Sequence, residues 1–237
     1  MSFETALTEH FDGAVEGETF VDRTLEVLQP LGFTQENTLP MVSFCRDEVC
    51  RPLVRKILRT WGETFEMSAL AGMLFAGQTG FAAAHTHAPI EGGRERYLYI
   101  AGPHIGISED GQTGKMKRFK RPGLSTACGA LAAFLAEIES GHLDTELKHY
   151  DPEQSLIKAR LLPKMGWGEL PDLVRLTKLS HEVVREDLEC LVGNTIDADK
   201  ADYAIFTGIQ VHGPDKDWIW PAPAYAMVNG ERKDLPL

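Results

Sequence analysis

Two strand-like patterns that lead into metal-binding residue types constrain this chain most strongly. The apolar run 41–44 leads directly into Cys45, and the run 97–101 is followed three residues later by His104. Further along, Cys128 opens an alanine-rich run with helical spacing. In α/β proteins, sites form where strands end and helices begin, so we expect these side chains to lie together. Two thiolates and one imidazole would leave the fourth position of a catalytic zinc open.

Strand-like and helix-like patterns alternate, which predicts a single-domain α/β fold with a central, mostly parallel β-sheet flanked by helices. No repeat or low-complexity linker interrupts the chain, which favours a single domain. Residues 1–34 are interpreted as an N-terminal helical segment and residues 35–237 as the main domain. The strands predicted at the parallel centre are 38–44, 67–76 and 97–101, with a buried helix as the alternative within 67–84. The predicted helices are 13–29, 52–61, 128–138, 153–162 and 171–192. Strands at 203–211, 218–220 and 225–228 are expected to extend one edge.

The acidic composition narrows the partners that the chain can have. Its formal net charge is −11, which argues against nucleic acid or an anionic membrane surface as the main partner. No apolar run reaches the length of a membrane span, and the first residues lack the pattern of a signal peptide. Four cysteines are too few for a disulfide scaffold of this size. We therefore expect a cytoplasmic protein without a nucleic-acid or membrane partner.

Several short motifs occur in an order that resembles a known family. Cys45-Arg-Asp47, His104 and Cys128-Gly resemble the motifs of β-type carbonic anhydrases, although 24 positions separate His104 from Cys128 where those enzymes have a His-x-x-Cys spacing. The whole set, over residues 35 to 230, is similar to the limiting-CO₂-inducible protein B/C family, the theta-type carbonic anhydrases. The supporting segments are Cys45–Glu48, His87–Pro89, Gly102–Ile107, Ala127–Ala130 and Ile209–Pro214.

That resemblance implies a β-carbonic-anhydrase-like zinc domain at residues 35–237 and a homodimer. It also implies one Zn²⁺ held by Cys45, His104 and Cys128. The expected activity is that of a zinc-dependent carbonic anhydrase, in which a zinc-bound hydroxide attacks CO₂ and reversibly forms bicarbonate.

A carboxylate beside the first cysteine completes the site that the resemblance implies. Asp47 would accept a hydrogen bond from the zinc-bound hydroxide and orient it. In the resembled site an arginine holds this aspartate, but Val49 stands at the expected position in this chain. Arg51, one helical turn after Asp47, is the first substitute, and Arg46 is the second.

A second motif, His85-Thr-His87, competes with His104 for the role of ligand. A His-x-His pair in a strand puts both rings on one face, which is a common ligand spacing. With Glu91 the pair also imitates the ligand motif of cupins, so a cupin-like metalloprotein is a remote alternative, which the helical patterns oppose. We expect His87 to line the site, where it would contact the zinc water or relay protons, and His85 to be its structural neighbour.

Other candidate residues have ordinary interpretations beside functional ones. Cys50 and Cys190 follow helical spacing among apolar residues and are expected to pack in the interior. The basic loop 115–121 would either attract bicarbonate or be a solvated insertion, and the insertion is favoured. His212 would either face the site or form a hydrogen bond in the core. A second function stays open beside catalysis: a zinc-stabilised protein that binds CO₂ or bicarbonate, or serves as a scaffold, without fast turnover.

Overall fold

One long strand near the C-terminus organises the sheet. In this computed structural model, which describes residues 1–236, β9 spans Ala201–His212 and is almost fully buried. It pairs in parallel with β5 (Arg94–Ala101), and β5 pairs in parallel with β2 (Leu39–Ser43). β2 in turn pairs in parallel with the short β3 (Phe65–Glu66). The predicted α/β fold with a central, mostly parallel sheet flanked by helices is confirmed.

The remaining elements surround this parallel centre. The other strands are β1 (Val15–Glu16), β4 (Ile90–Glu91), β6 (His104–Gly106), β7 (Lys115–Lys117), β8 (Leu124–Thr126), β10 (Asp217–Pro221), β11 (Ala224–Val228) and β12 (Glu231–Leu235). The helices are α1 (Phe3–Phe11), α2 (Gly17–Leu28), α3 (Arg51–Trp61), α4 (Gly77–His85), α5 (Gly129–Ser140), α6 (Pro152–Leu161) and α7 (Leu173–Thr195). No helix among the described residues is long and apolar enough to cross a membrane.

Amphipathic spacing explains why the predicted helices form. In α3, Leu53, Ile57 and Trp61 recur at helical spacing and are all buried against the sheet core. Pro52 occupies the first turn of that helix, where its missing N–H removes no hydrogen bond. The predicted helices that became α2, α3, α5, α6 and α7 are confirmed, with their bounds shifted by a few residues.

The strand predicted at 67–76 is wrong. The chain forms a 3₁₀ turn at Leu70–Gly72 and then α4. The second part of the segment 67–84 is therefore helical, as in the alternative, but only Phe81 and Ala84 of this helix are buried. Ala71 and Gly72 have positive φ values of 55° and 72°, which a strand does not contain. A Cβ on Gly72 would lie 2.3 Å from the backbone oxygen of Gly102. The small apolar residues therefore allow a loop to pack closely against the end of β5.

The prediction that the C-terminal strands only extend an edge is wrong for β9. This strand lies between β5 and two antiparallel strands, because β10 pairs with 208–212 and β11 pairs with 203–205. A strand that is covered on both faces has a continuous apolar run instead of alternation, so its sequence does not reveal its place in the sheet. β10, β11 and β12 do extend the sheet beyond it.

The N-terminal helices pack against the same sheet. Ser2 caps α1 by accepting a hydrogen bond from the Thr5 N–H. This helix lies in the predicted N-terminal helical segment but outside the helix predicted at 13–29. Phe3 and Phe11 of α1 pack in a small apolar cluster with residues of β6 and β9. Phe20 of α2 is part of the main core. α1 thus packs against β6 and the adjoining part of β9, whereas α2 packs in the main core.

A close approach of two backbones bends the chain at the end of β5. A Cβ on Gly102 would lie 1.7 Å from the carbonyl oxygen of Gly208 in β9. The Gly102 N–H donates to the Ser43 oxygen at the end of β2, which fixes the bend between two strands. After this bend the chain enters β6 at His104.

We expect Gly102→Ala to destabilise the fold by about 2–3 kcal/mol, because the added methyl group must displace backbone atoms in a packed interior. Gly193→Ala is the matched control, since Gly193 lies in α7 with open space around it. Alanine there should be neutral or should stabilise the helix by up to about 1 kcal/mol. Urea unfolding measures both changes, and a native midpoint in Gly102→Ala would contradict the close approach.

Candidate metal centre

Three potential metal ligands meet next to β2, β6 and α5. Cys45 lies two residues after β2, His104 is the first residue of β6, and Cys128 directly precedes α5. Their ligand atoms all lie within 4.8 Å of one another, and all three residues are buried. The Gly106 N–H donates to the Ala127 oxygen, which ties the segment before α5 to β6. The structure therefore brings together the three residues that the sequence predicts as ligands.

The geometry of this cluster fits a tetrahedral metal ion. The Sγ atoms of Cys45 and Cys128 are 3.8 Å apart, which is about the separation of two thiolates that each lie about 2.3 Å from one tetrahedral ion. Nε2 of His104 is buried and has no hydrogen-bond partner among the described residues. An unpartnered buried nitrogen is costly, and coordination of a metal ion would satisfy it.

The two thiols of the cluster ionise unequally. The hydrogen bond to the Cys128 thiol lowers the pKa of Cys45, and His104 adds to this effect, although burial opposes it. The same hydrogen bond, together with burial, raises the pKa of Cys128. Without a metal, the pair therefore holds a thiolate on Cys45 and a proton on Cys128.

A carboxylate and an arginine lie beside the cluster. Nη1 and Nη2 of Arg118, which follows β7, donate to Oδ1 and Oδ2 of Asp47 at 2.7 and 3.0 Å. Arg118 is itself held by the Ser125 hydroxyl at 2.8 Å and the Thr126 carbonyl at 3.0 Å. Oδ2 of Asp47 lies 3.9 Å from Nε2 of His104. Burial opposes ionisation of Asp47, but the hydrogen bonds from Arg118 hold its pKa well below the usual range.

A second buried group lies behind His104. Nδ1 of His104 is 3.0 Å from Nε2 of His212, and Nδ1 of His212 is 2.7 Å from Oδ1 of Asp217. Sγ of Cys50 lies 3.9 Å from Nε2 of His212, so Cys50, His104 and His212 form another group with the spacing of metal ligands. Burial lowers the pKa of His212 despite the carboxylate of Asp217. His212 thus contacts the predicted ligand histidine directly.

Comparison with known proteins identifies the family. Residues 14–228 match the family described as limiting CO₂-inducible proteins B/C, beta carbonic anhydrases. The chain belongs to this family. It is 31% identical to the crystal structure of limiting CO₂-inducible protein LCIB, with a TM-score of 0.81 and 97% of each chain covered. The crystal structure of PtLCIB4, a homolog of LCIB, is 26% identical with a TM-score of 0.87, covering 99% of this chain and 100% of the other.

Among curated proteins, none matches this chain significantly. The resemblance inferred from the motifs is nevertheless confirmed, since the matched residues include all five supporting segments. Membership of the limiting CO₂-inducible B/C family assigns a relationship to carbonic anhydrases.

In this family member, Arg118 takes the place that the sequence interpretation gave to Arg51. Arg51 is exposed at the start of α3, and Arg46 pairs with Glu153 at 2.5 Å. Arg118 was missed because its loop was expected to be a solvated insertion, and a contact between a hairpin and a distant strand end produces no periodic signal. The available signal was the position of this basic loop between two predicted ligands in the sequence.

The His85 and His87 alternatives receive no support from the geometry. Nε2 of His85, at the end of α4, is 2.7 Å from the Tyr99 hydroxyl. His87 is exposed, stacks edge-on against Phe65 and lines a different surface cleft with Trp61. Neither histidine belongs to a potential metal-binding group in the described part of the chain. The cupin-like hypothesis is wrong, because the pair ends a helix of an α/β fold.

The two remaining cysteines differ in their surroundings. Cys50 is buried, as expected, and burial raises the pKa of its thiol. Cys190 is exposed, so its predicted place in the interior is wrong. Its position on α7 faces away from the packed side of that helix. Cys190 therefore offers a matched control for substitutions at the metal centre.

We expect the metal-free protein to contain a thiolate on Cys45 at neutral pH, because its pKa is lowered. That thiolate should be present above the lowered pKa and should disappear only as the pH falls through it. Ultraviolet thiolate absorbance during an acid titration of chelator-treated protein measures this. Cys45→Ser should remove the signal and Cys190→Ser should retain it. Protonation of Cys45 already near the ordinary thiol pKa of about 8.5 would contradict the lowered pKa.

Proposed function

We propose that this protein is a zinc-dependent carbonic anhydrase that interconverts CO₂ and bicarbonate. The supporting observation is the buried cluster of two cysteines and one histidine beside the Asp47–Arg118 pair. Membership of a family described as beta carbonic anhydrases also supports this activity. The homodimer expected from the resemblance stays a prediction.

Zinc is the metal that we propose for this set of donors. Cys45 and Cys128 would bind as thiolates, and their two negative charges balance a divalent cation. His104 would bind through Nε2, the atom that has no other partner. Sulfur and imidazole donors in a tetrahedral arrangement are typical of zinc, and three protein ligands leave a fourth position for water. When bound, the ion lowers the pKa of that water to about 7 and so supplies a nucleophile at neutral pH.

Asp47 is proposed to orient the nucleophile for attack on CO₂. An ionised carboxylate only accepts hydrogen bonds, and Arg118 keeps Asp47 ionised. Both carboxylate oxygens receive hydrogen bonds from Arg118, which fix the carboxylate and oppose its rotation towards the metal ligands. Oδ2 lies 3.9 Å from Nε2 of His104, and this distance supports a role as acceptor of a hydrogen bond from a hydroxyl group at the cluster.

We expect the purified chain to contain about one zinc ion, measured by elemental analysis. Cys45→Ser and Cys128→Ser should each lose zinc, because each substitution removes a thiolate ligand. Cys190→Ser should retain it, since Cys190 is exposed on α7. Full zinc content in Cys128→Ser would refute the ligand assignment.

We expect Asp47→Ala to retain zinc while CO₂ hydration falls by about 10²-fold or more, because the nucleophile loses its orienting acceptor. Arg118→Ala should cause a comparable loss, since the carboxylate then loses both of its side-chain hydrogen bonds from arginine. Arg121→Ala is the control, because Arg121 is exposed in the same hairpin. Stopped-flow assays measure these rates, and native activity should rise with pH around a midpoint of about 7.

Two outcomes would change this proposal. Full activity in Asp47→Ala would remove the carboxylate from the mechanism. A native chain that binds zinc but hydrates no CO₂ at any pH would favour the alternative function, a zinc-stabilised protein that binds CO₂ or bicarbonate or acts as a scaffold.

A further inference from the structure

Three buried or partly buried side chains form a line that ends at the metal centre. Asp217 contacts His212, and His212 contacts His104, through nitrogen and oxygen atoms 2.7 and 3.0 Å apart. His104 and His212 are 0% and 1% exposed, so water does not compete for the hydrogen bond between them. The far end of the line is Nε2 of His104, which has no partner among the described residues.

The chemistry of the donors and acceptors fixes the protons along this line. A carboxylate only accepts, so Asp217 requires the proton of His212 on Nδ1. Nε2 of a neutral His212 then carries a lone pair and must accept the hydrogen bond from Nδ1–H of His104. In a neutral imidazole with the proton on Nδ1, Nε2 also carries a lone pair. The line therefore selects the one tautomer of His104 that can bind a metal through Nε2.

We propose that Asp217 and His212 are positioning residues that hold His104 as the Nδ1–H tautomer, with the lone pair of Nε2 directed at the metal. The proposal rests on the proposed function only for the identity of the metal as zinc. Hydrogen bonds to the second nitrogen of a ligand histidine commonly fix its tautomer and orientation, and their loss typically weakens metal binding by about 10- to 100-fold.

The backbone around the line is well held, so the hydrogen bonds have little freedom to rearrange. His212 and Asp217 face each other across the antiparallel pair of β9 and β10. The second carboxylate oxygen of Asp217 accepts a hydrogen bond from the Gln210 amide at 3.0 Å. The His212 carbonyl accepts a hydrogen bond from the Ile107 N–H just after β6, the strand that begins with His104.

The group of Cys50, His104 and His212 offers a different interpretation, in which a metal binds on the other side of His104. That arrangement would require Nδ1 of His104 to lose its hydrogen bond to His212. It would also leave Nε2 of His104 buried without a partner beside two cysteines. The line from Asp217 avoids both costs, and the experiment below distinguishes the two arrangements.

The test uses two measurements. The zinc dissociation constant is measured by competition with a chromophoric chelator. The tautomer of His104 is measured by nitrogen NMR of the metal-free protein with isotope-labelled histidine. In Asp217→Asn the amide can donate to Nδ1 of His212, which reverses the order of donors and moves the His104 proton to Nε2. We expect this variant to bind zinc about 10- to 100-fold more weakly. His212→Phe, which removes the acceptor, should show a similar loss.

Three variants serve as controls. His212→Gln retains an acceptor for His104 and should bind zinc more tightly than His212→Phe. Asp215→Asn removes the same charge from an exposed position in the turn just before β10 and should leave affinity unchanged. His181→Gln removes another buried histidine, one that pairs with Thr207, and should also leave affinity unchanged.

Native zinc affinity in folded Asp217→Asn and His212→Phe would overturn the proposal. A proton on Nε2 of His104 in the native metal-free protein would also overturn it, and this measurement needs no variant to fold. Zinc retained in Cys45→Ser but lost in Cys50→Ser would place the metal on the other side of His104. None of these readouts depends on CO₂, so the two proposals can fail separately. If the native chain hydrates no CO₂ but Asp217→Asn binds zinc more weakly, the proposed function is refuted and the positioning role of Asp217 and His212 is supported.

Discussion

The parallel alignment of β2, β5 and β9 is the constraint on which the metal centre depends. Ser43 at the end of β2 pairs with Ala101 at the end of β5, and Ala101 pairs with Thr207 within β9. Two strands therefore end at the same level beside a third that continues. Cys45 follows the end of β2 and the bend to His104 follows the end of β5, so these two segments lie side by side. The extra length of β9 then places a histidine directly behind the ligand histidine.

This arrangement buries several polar groups, and their hydrogen bonds determine whether the burial is tolerable. A typical internal hydrogen bond contributes about 1 kcal/mol net, whereas a buried polar atom without a partner costs about 1–3 kcal/mol. Asp47, His212 and Asp217 all have partners at hydrogen-bond distances. Besides Oε1 of the neighbouring Gln210, the buried atom without a partner among the described residues of this region is Nε2 of His104. Without a metal, this unpartnered nitrogen lowers the stability of the protein, and its free lone pair can bind an ion.

The sequence predicted those features that depend on local patterns. Cys45, His104 and Cys128 could be selected because metal-binding residue types followed strand-like runs or opened a helix. Contacts between distant segments left no such pattern, so the pairing of Arg118 with Asp47 was missed. The segment at 67–76 was misassigned because small apolar residues suit close loop packing as well as a strand. The central place of β9 was hidden for a related reason, since a strand buried on both faces has no alternation.

The metal ligands and the carboxylate are supported by different parts of the chain. His104 is backed by β9 and β10 at the heart of the large sheet, where few rearrangements are available. Asp47 is held by an arginine from the hairpin of β7 and β8, a separate two-stranded sheet. This hairpin lies within the 24 positions between His104 and Cys128, where β-type enzymes have the short His-x-x-Cys spacing. The arginine that holds Asp47 therefore comes from this hairpin, in a chain that has Val49 at the position where the resemblance to β-type enzymes implies an arginine.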